Sequence, residues 1–425
     1  MSQTLIIADD LSGAADCASA FFKAGQETLV VIDGKAERCA ATQNTRVVAI
    51  DADTRRLAPE DAAAVHRKMF ERYRSPGQLL YKKIDSTLRG NFAQELAAIV
   101  KDAGLAIVAP AFPLAGRFTR RGHQYLKDVP LENSEVWRAE GIAGTAHIPG
   151  MLSRQGISTA SIEIEDIRRG PSRILALLEQ FADDGIEAVV CDVETEQDLQ
   201  VIAQASMALT APHFCVGSAG LTYHLATAGA APEGSLAAPP VATRGAILTV
   251  VGSLSSVSRE QARYLEENAG LARLEIPADV LRARQSHSRW NEFHEAVGQF
   301  LRDRRDLLVV IEKGSSVNMS EGLELCQALA ALIAPLADHI GAVISTGGET
   351  ARAILSAIGS KGLYLAGEIE SGVPLSVAAG IKPIPVITKA GAFGSLDTLL
   401  RCYQRLQEAR TDDAVPADDS LQRKA

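Results

Sequence analysis

The stretch Lys82-Lys83-Ile84-Asp85-Ser86-Thr87-Leu88-Arg89-Gly90-Asn91 gathers two lysines, a carboxylate, two hydroxyls and an arginine into ten positions. The apolar pair Leu79-Leu80 precedes it, and Phe92 to Val100 has the pattern of a helix. In an α/β protein, a strand that ends in charge and runs into a helix opens into the crevice where ligands bind. The cations suit an anionic ligand, and Asp85 suits a hydroxyl proton or a metal. A solvated surface loop is the competing reading. Asp9-Asp10 forms a second candidate, at the tip of the apolar run Thr4 to Ala8. Ser12 is the predicted cap of the helix that follows, because a hydroxyl there accepts from free N–H groups. Two acids followed by Gly13 exceed what a cap requires, which favours a ligand or catalytic role.

Asp51-Ala52-Asp53 follows the strand-like Arg46 to Ile50. Its spacing imitates the nucleophile and acid of haloacid-dehalogenase-type phosphatases. That motif belongs on a first strand, whereas here it ends a third, so it reads as a decoy with Arg55 as an anion contact behind it. Arg117, Arg120 and Arg121 fall in a glycine-bounded polar loop that could take phosphate or carboxylate, with Arg120 and Arg121 fitting a solvated loop better. In the second half, Gly252-Ser253-Leu254-Ser255-Ser256-Val257-Ser258 lies between a strand, Ala246 to Val251, and a helix expected from Arg259. Hydroxyls at a helix N-terminus suit phosphate. Thr346-Gly347-Gly348-Glu349-Thr350 and Lys389-Ala390-Gly391-Ala392-Phe393-Gly394 repeat the pattern of strand followed by glycine turn. Neither the Walker spacing nor G-x-G-x-x-G is present.

Positioning these residues requires strands alternating with helices. Apolar runs at Thr4 to Ala8, Thr28 to Ile32, Arg46 to Ile50, Ala106 to Ala109, Val189 to Asp192 and Phe214 to Val216 supply the first set. Those at Ala246 to Val251, Leu307 to Ile311, Ala342 to Ser345 and Pro385 to Thr388 supply the second. The expected fold is two α/β domains, each with a mostly parallel sheet flanked by helices, separated by a cleft. Residues 1–232 form the first domain. A linker rich in proline and small residues spans 233–245, a second domain 246–410, and a disordered polar tail 411–425. Gly217-Ser218-Ala219-Gly220 permits either ligand approach or tight packing.

Among the 425 residues, 47% are hydrophobic, 22% charged and only 5% aromatic, and the net charge is -9. Such a chain lacks the basic stripe and stacking aromatics of a nucleic-acid binder. Its six cysteines form no C-x-x-C pair and its eight histidines lack ligand spacing, so no protein metal site is expected. No apolar run reaches membrane-spanning length, and a cytoplasmic location is expected.

Taken together, the stretches Ile6 to Ala14, Lys82 to Asn91, Gly217 to Leu221, Thr346 to Ala351 and Lys389 to Gly394 resemble the four-carbon acid sugar kinase family, in matching order as far as about Tyr403. The Lys-Lys-Ile-Asp-Ser-Thr-Leu-Arg-Gly form looks most like its D-threonate kinase branch. The resemblance implies ATP-dependent phosphorylation of the terminal C4 hydroxyl of a tetronic acid, with D-threonate ahead of D-erythronate and 3-oxo-tetronate. It implies a sugar-acid site containing Asp10, Arg55, Lys82, Lys83, Ile84 and Asp85, joined by Arg89. It implies a nucleotide site containing Ser255, Gly347, Gly348, Glu349, Thr350 and Gly391, to which Ser258 and Gly394 are neighbours.

Phosphoryl transfer needs placement, charge neutralisation and a group that orients the attacking hydroxyl. Asp85 and Asp10 are both candidates for that last role. ATP brings Mg2+, for which the sequence shows no dedicated cage. The expected partners are the sugar acid and ATP, with a homodimer as the assembly to test, and neither nucleic acid nor membrane. The rival readings are a phosphatase built on Asp51 and Asp53 and a non-catalytic small-acid binder. A nicotinamide-dependent oxidoreductase is opposed by the missing G-x-G-x-x-G.

Overall fold

The computed structural model describes residues 4–32, 45–228, 238–253, 255–312, 321–370, 372–391 and 393–411. The chain forms two compact units, residues 1–28 with 44–236 and residues 29–43 with 237–425. The strands in chain order are β1 (Thr4–Ala8), β2 (Thr28–Val31), β3 (Val47–Asp51), β4 (Leu79–Lys83), β5 (Leu105–Ala109), β6 (Arg117–Arg120), β7 (His123–Leu126), β8 (Val129–Pro130), β9 (Thr159–Ile162), β10 (Ala188–Cys191) and β11 (His213–Gly217). They continue with β12 (Ala246–Val251), β13 (Ala272–Ile276), β14 (Leu307–Ile311), β15 (Ile340–Thr346), β16 (Gly362–Glu370), β17 (Val373–Ala379) and β18 (Pro385–Lys389).

In the first unit a parallel sheet runs in the order β3-β1-β4-β11-β5-β10-β9. β1, β3 and β5 are buried along their whole length, as continuous runs such as Leu5-Ile6-Ile7 require when both faces are covered. The chain leaves β1 toward β3 on one side and then returns to β4 on the other. The C-terminal ends of β1 and β4 therefore flank a topological switch point, the crevice where open α/β sheets bind ligands. The helix Leu11–Lys23 starts at one lip of it and the loop 84–91 forms the other. A separate antiparallel sheet, β6-β7-β8, replaces the loop expected around Arg117 to His123. Arg121 and Gly122 both have positive φ, 49° and 72°, and close a two-residue hairpin with Arg120 opposite His123.

In the second unit, β13-β14-β12-β15-β18 are parallel, and β17 and β16 continue the sheet antiparallel. A second switch point falls between β12 and β15. The next strand is β2, whose Leu29 to Val31 pair with Tyr364 to Gly362. The sequence reading placed residues 1–232 in one domain. Among the described residues, Leu29 to Ile32 instead fall with the second unit, where β2 pairs with the antiparallel edge of β16. Positions 233–237 of the expected linker and 412–425 of the expected tail lie outside the described residues. Thr243, inside the expected linker, is buried and bridges to Arg410. No helix among the described residues is long and apolar enough to cross a membrane.

Candidate functional site

At the first switch point Arg55 joins two neighbouring carboxylates. Its Nε donates to Asp9 Oδ2 at 2.7 Å and its Nη2 to Asp9 Oδ1 at 3.0 Å, while Nη1 reaches Asp10 Oδ2 at 2.8 Å. The Thr54 and Arg55 amides also donate to the Asp9 carbonyl, which fixes the loop after β3 against the tip of β1. Burial works to raise the Asp9 carboxyl, but Arg55 and Lys83 outweigh it and hold Asp9 below the ordinary carboxylate range. Asp10, not Ser12, caps the helix Leu11–Lys23, its Oδ1 accepting from Gly13 N at 3.0 Å.

Lys82 and Lys83 separate here. Successive strand residues face opposite sides of a sheet, so only one of two adjacent lysines can face the crevice. Lys83 Nζ lies against the start of the helix Leu11–Lys23, where a Cβ on Gly13 would come within 2.5 Å of it. No carboxylate lies within ion-pair distance of Lys83 among the described residues, although Asp9 and Asp10 raise its pKa against the effect of burial. Lys82 is fully buried on the other face and pairs with the equally buried Glu95, Nζ to Oε2 at 2.8 Å. It cannot reach a ligand from there, which corrects its expected place in the sugar-acid site. Burial works to raise Glu95, yet Lys82 and His66 keep it below its usual range. Burial first, and then Lys82, push His66 down to about 3, so this histidine is neutral. Glu95 Oε1 accepts from Thr54 Oγ1, so the buried pair braces the residue next to Arg55.

Asp85 is saturated. It accepts from Arg89 Nε at 2.8 Å and Nη2 at 3.1 Å, from the Thr87 amide at 3.2 Å and from the Thr87 hydroxyl. Burial opposes ionisation, but Arg89 and Arg55 hold Asp85 far below the usual carboxylate range. Ile84 is buried and its amide donates to Gly217 O. The loop turns through Leu88 at φ 55° and Gly90 at φ 84°, and a Cβ on Gly90 would sit 3.2 Å from Asp9 Oδ2. Gln124 Nε2 on β7 holds Ser86 O at 2.8 Å, and the buried Trp137 Nε1 holds Thr87 O at 2.8 Å. Arg117 on β6 completes the cluster. It feels the charges of Asp85 and Arg89, its pKa is lowered by burial, and among the described residues it has no ion-pair partner.

The remaining candidates of this unit are structural. A Cβ on Gly217 would clash with Ala109 O at 2.5 Å, so Gly217-Ser218-Ala219-Gly220 serves tight packing. Asp51 Oδ1 accepts from the Asp53 amide at 2.9 Å and so shapes its own turn. Arg120 pairs with Glu194 at 2.7 Å, and His123 stacks on His147.

At the second switch point, Ser255 caps the helix Ser256–Ala269, three residues before the expected start at Arg259, and its Oγ donates to Gly391 O at 3.0 Å. Ser258 Oγ donates to the same carbonyl. A Cβ on Gly391 would meet Ser253 Oγ at 2.3 Å. Gly347, at φ 91°, starts the helix Gly348–Ala357, which carries Glu349 in its first turn. Thr350 is buried against Cys326 Sγ at 3.2 Å, under Gly252, where a Cβ would touch its hydroxyl. The structure thus gathers Ser255, Ser258 and Gly391 directly, with Gly347 close to Ser253. Gly394, at φ 87°, serves a turn packed on Thr398 and Glu370.

Residues 4–225 match the family profile described as a sugar-binding N-terminal domain, and residues 248–399 match that of a nucleotide-binding C-terminal domain. A D-threonate kinase from Cupriavidus necator is 43% identical over 96% of this chain and 99% of its own length. The chain belongs to the four-carbon acid sugar kinase family. A second D-threonate kinase, from Bordetella bronchiseptica, is 34% identical over 95% of this chain and 98% of its own. A D-erythronate kinase from Heliobacterium modesticaldum is 26% identical over 98% of this chain and 100% of its own. A crystal structure of a Salmonella typhimurium LT2 protein shares the fold, with a TM-score of 0.79 at 21% identity over 95% of this chain and 100% of that one.

For this four-carbon acid sugar kinase family member, the sequence reading named Asp9 and Arg117 only within a pair and a cluster, and gave no place to Glu95 or His66. Asp9 is bound by the same arginine as Asp10, and its adjacency was the available signal. Arg117 stood in a loop of three arginines as the one that a solvated loop explained least. Glu95 and His66, helical residues far from the motifs, gave no signal. Lys389 was visible as a charge ending an apolar strand, the same sign that marked Lys83.

Proposed function

We propose that the chain transfers the γ-phosphoryl group of ATP to the C4 hydroxyl of a four-carbon sugar acid, with D-threonate the substrate and 4-phospho-D-threonate the product. The supporting observation is an unequal pairing of charge in the β1–β4 crevice. Asp9, Asp10 and Asp85 are each held by an arginine, whereas Lys83 and Arg117 have no ion-pair partner among the described residues. Two spare cations suit a small ligand that carries one carboxylate beside its hydroxyls. The full-length likeness to a D-threonate kinase at 43% identity favours that acid over D-erythronate or 3-oxo-tetronate.

In this reading Lys83 and Arg117 neutralise the acid's carboxylate. Asp10 orients the C4 hydroxyl and takes its proton late in the transfer. Its side chain is 25% exposed, against 12% for Asp85, and each of its oxygens takes one donor, whereas Asp85 Oδ2 takes Arg89 Nε and both Thr87 donors. Asp85 anchors Arg89 and the loop. In the second unit Ser255, Ser258, Gly347, Gly348, Glu349, Thr350 and Gly391 surround the nucleotide. Mg2+ would arrive with ATP and screen phosphate charge there.

The test is ADP release from ATP with a panel of D-threonate, L-threonate, D-erythronate and 3-oxo-tetronate. The highest kcat/KM is expected for D-threonate. Absence of ADP release with every acid would sink the kinase reading, and phosphate release from a phospho-acid without ATP would favour Asp51 and Asp53 as a phosphatase pair.

A further inference from the structure

The carbonyl oxygen of Gly391 receives three donors: Ser255 Oγ at 3.0 Å, Ser258 Oγ, and Lys389 Nζ at 3.3 Å. A carbonyl oxygen has two lone pairs, so one of these donors is in surplus. Lys389 is only 2% exposed, and its other hydrogen bond also ends on a neutral carbonyl, that of Ala390 at 3.0 Å. Among the described residues no carboxylate pairs with it. Glu370 acts on it only at longer range, since its two oxygens are taken by Thr398 and Arg401. Burying an ammonium without a counter-ion is costly, because neutral carbonyls replace only part of its hydration. Burial accordingly lowers Lys389 to about 8, with Cys402 and Glu370 opposing. Such a group is poised for an anion from outside the chain.

Its surroundings indicate which anion. Lys389 ends β18 in register with Thr346 of β15, and its own carbonyl accepts from the amide of Gly347, the turn that opens the helix Gly348–Ala357. The 14-residue helix Ser256–Ala269 starts beside the same Gly391 carbonyl. Two helix N-termini and a buried ammonium thus converge on one glycine turn, a donor set matched to phosphate. We propose that Lys389 is the cation that receives the phosphate chain of the nucleotide in the second unit, exchanging the Gly391 carbonyl for a phosphate oxygen. Ser255 and Ser258 keep the Gly391 carbonyl satisfied when Lys389 leaves it. This assignment rests on the kinase reading and adds a contacting residue to it.

Calorimetric titration of the full chain with ATP, ADP and adenosine tests it, using Lys389→Met and Lys389→Gln. Methionine keeps the length of the side chain and removes the charge, while glutamine also keeps a donor. ATP and ADP affinity should fall about 10-fold or more in both variants, with adenosine affinity unchanged within about twofold and the thermal midpoint not lowered. ATP binding within about twofold of the wild type in a folded variant overturns the assignment. An equal loss of ATP and adenosine also overturns it, since that marks a structural role. A wild-type chain that binds no adenosine nucleotide overturns the kinase reading and this assignment with it, whereas binding that is indifferent to position 389 overturns the assignment alone.

Discussion

Arg55 grips Asp9 through a two-bond fork, Nε to Oδ2 at 2.7 Å and Nη2 to Oδ1 at 3.0 Å. Its third nitrogen holds Asp10, so one guanidinium fixes both acids at the tip of β1. Lysine is a point charge and cannot reproduce a planar fork. Arg55→Lys should lower kcat/KM for the sugar acid about 10²-fold. Asp9, buried and half-satisfied, should cost about 1–3 kcal/mol of stability. Steady-state kinetics alongside urea unfolding checks both, and kcat/KM within twofold of the wild type would remove Arg55 from the site.

Lys82 separates a buried structural pair from a ligand contact. Removing one partner of a buried ion pair costs about 3–5 kcal/mol, because the other charge stays uncompensated. Lys82→Met should therefore destabilise strongly, and the double variant Lys82→Met, Glu95→Leu should recover much of the loss. A double-mutant cycle by denaturant unfolding measures the coupling. If Lys82→Met instead leaves stability intact and raises only the KM for the acid, Lys82 touches the ligand after all.

Gly13 leaves the space that Lys83 occupies. Alanine is favoured over glycine inside a helix by about 1 kcal/mol, so Gly13→Ala should fold as well as the parent. Its Cβ would sit 2.5 Å from Lys83 Nζ and 2.7 Å from Asp10 Oδ1, and both flexible tips must move. KM for the acid should rise about 10-fold with the thermal midpoint unchanged or higher. An unchanged KM would mean that Lys83 does not meet the substrate.

Much of this architecture is legible in the sequence because parallel strands covered on both faces are continuous apolar runs. Leu5-Ile6-Ile7 and Leu307 to Ile311 are unmistakable for that reason. The antiparallel pair β16 and β17 is not, since Gly362 to Glu370 mixes glycine and acids with its apolar residues. β6 and β7 hide in the same way behind polar side chains that meet the loop 84–91 and solvent rather than a core. Within the site, sequence proximity groups Lys82 with Lys83, yet strand alternation sends them to opposite faces. Proximity says nothing of Glu95 or His66, which reach the same cluster from other helices. Nor does it show that Leu29 to Ile32 leave their neighbours for the second unit, because a short apolar strand such as Thr28–Val31 fits either sheet.

His66 makes part of the stability depend on pH. The unfolded chain protonates this histidine near its ordinary value of about 6.5, but the folded chain does not until about 3. Between those values the unfolded state binds the extra proton, so acidification favours unfolding through His66. His66→Gln removes that contribution, and the stability lost between pH 7 and about pH 4.5 should be smaller in the variant. Unfolding free energies at the two pH values decide this, and parallel pH profiles for both proteins would contradict it.

Asp10 and Asp85 were equal candidates from their residue type, and their partners divide them. Asp85 accepts from Arg89 and Thr87 and lies far below the usual carboxylate range, so it is a poor proton acceptor and a firm anchor. Asparagine keeps the shape of either side chain but loses the charge. Asp10→Asn should reduce kcat about 10²-fold or more with a small change in KM for ATP, as expected for the group that orients and deprotonates the attacking hydroxyl. Asp85→Asn weakens the grip on Arg89 and loosens the loop that crosses Arg55. It should raise the KM for the acid more than it lowers kcat, and cost stability because the Arg89 fork is lost. Measuring kcat and both KM values for the two variants separates the roles. Should Asp85→Asn give the larger loss of kcat with an unchanged KM for the acid, the base is Asp85 and Asp10 is only the helix cap and the partner of Arg55.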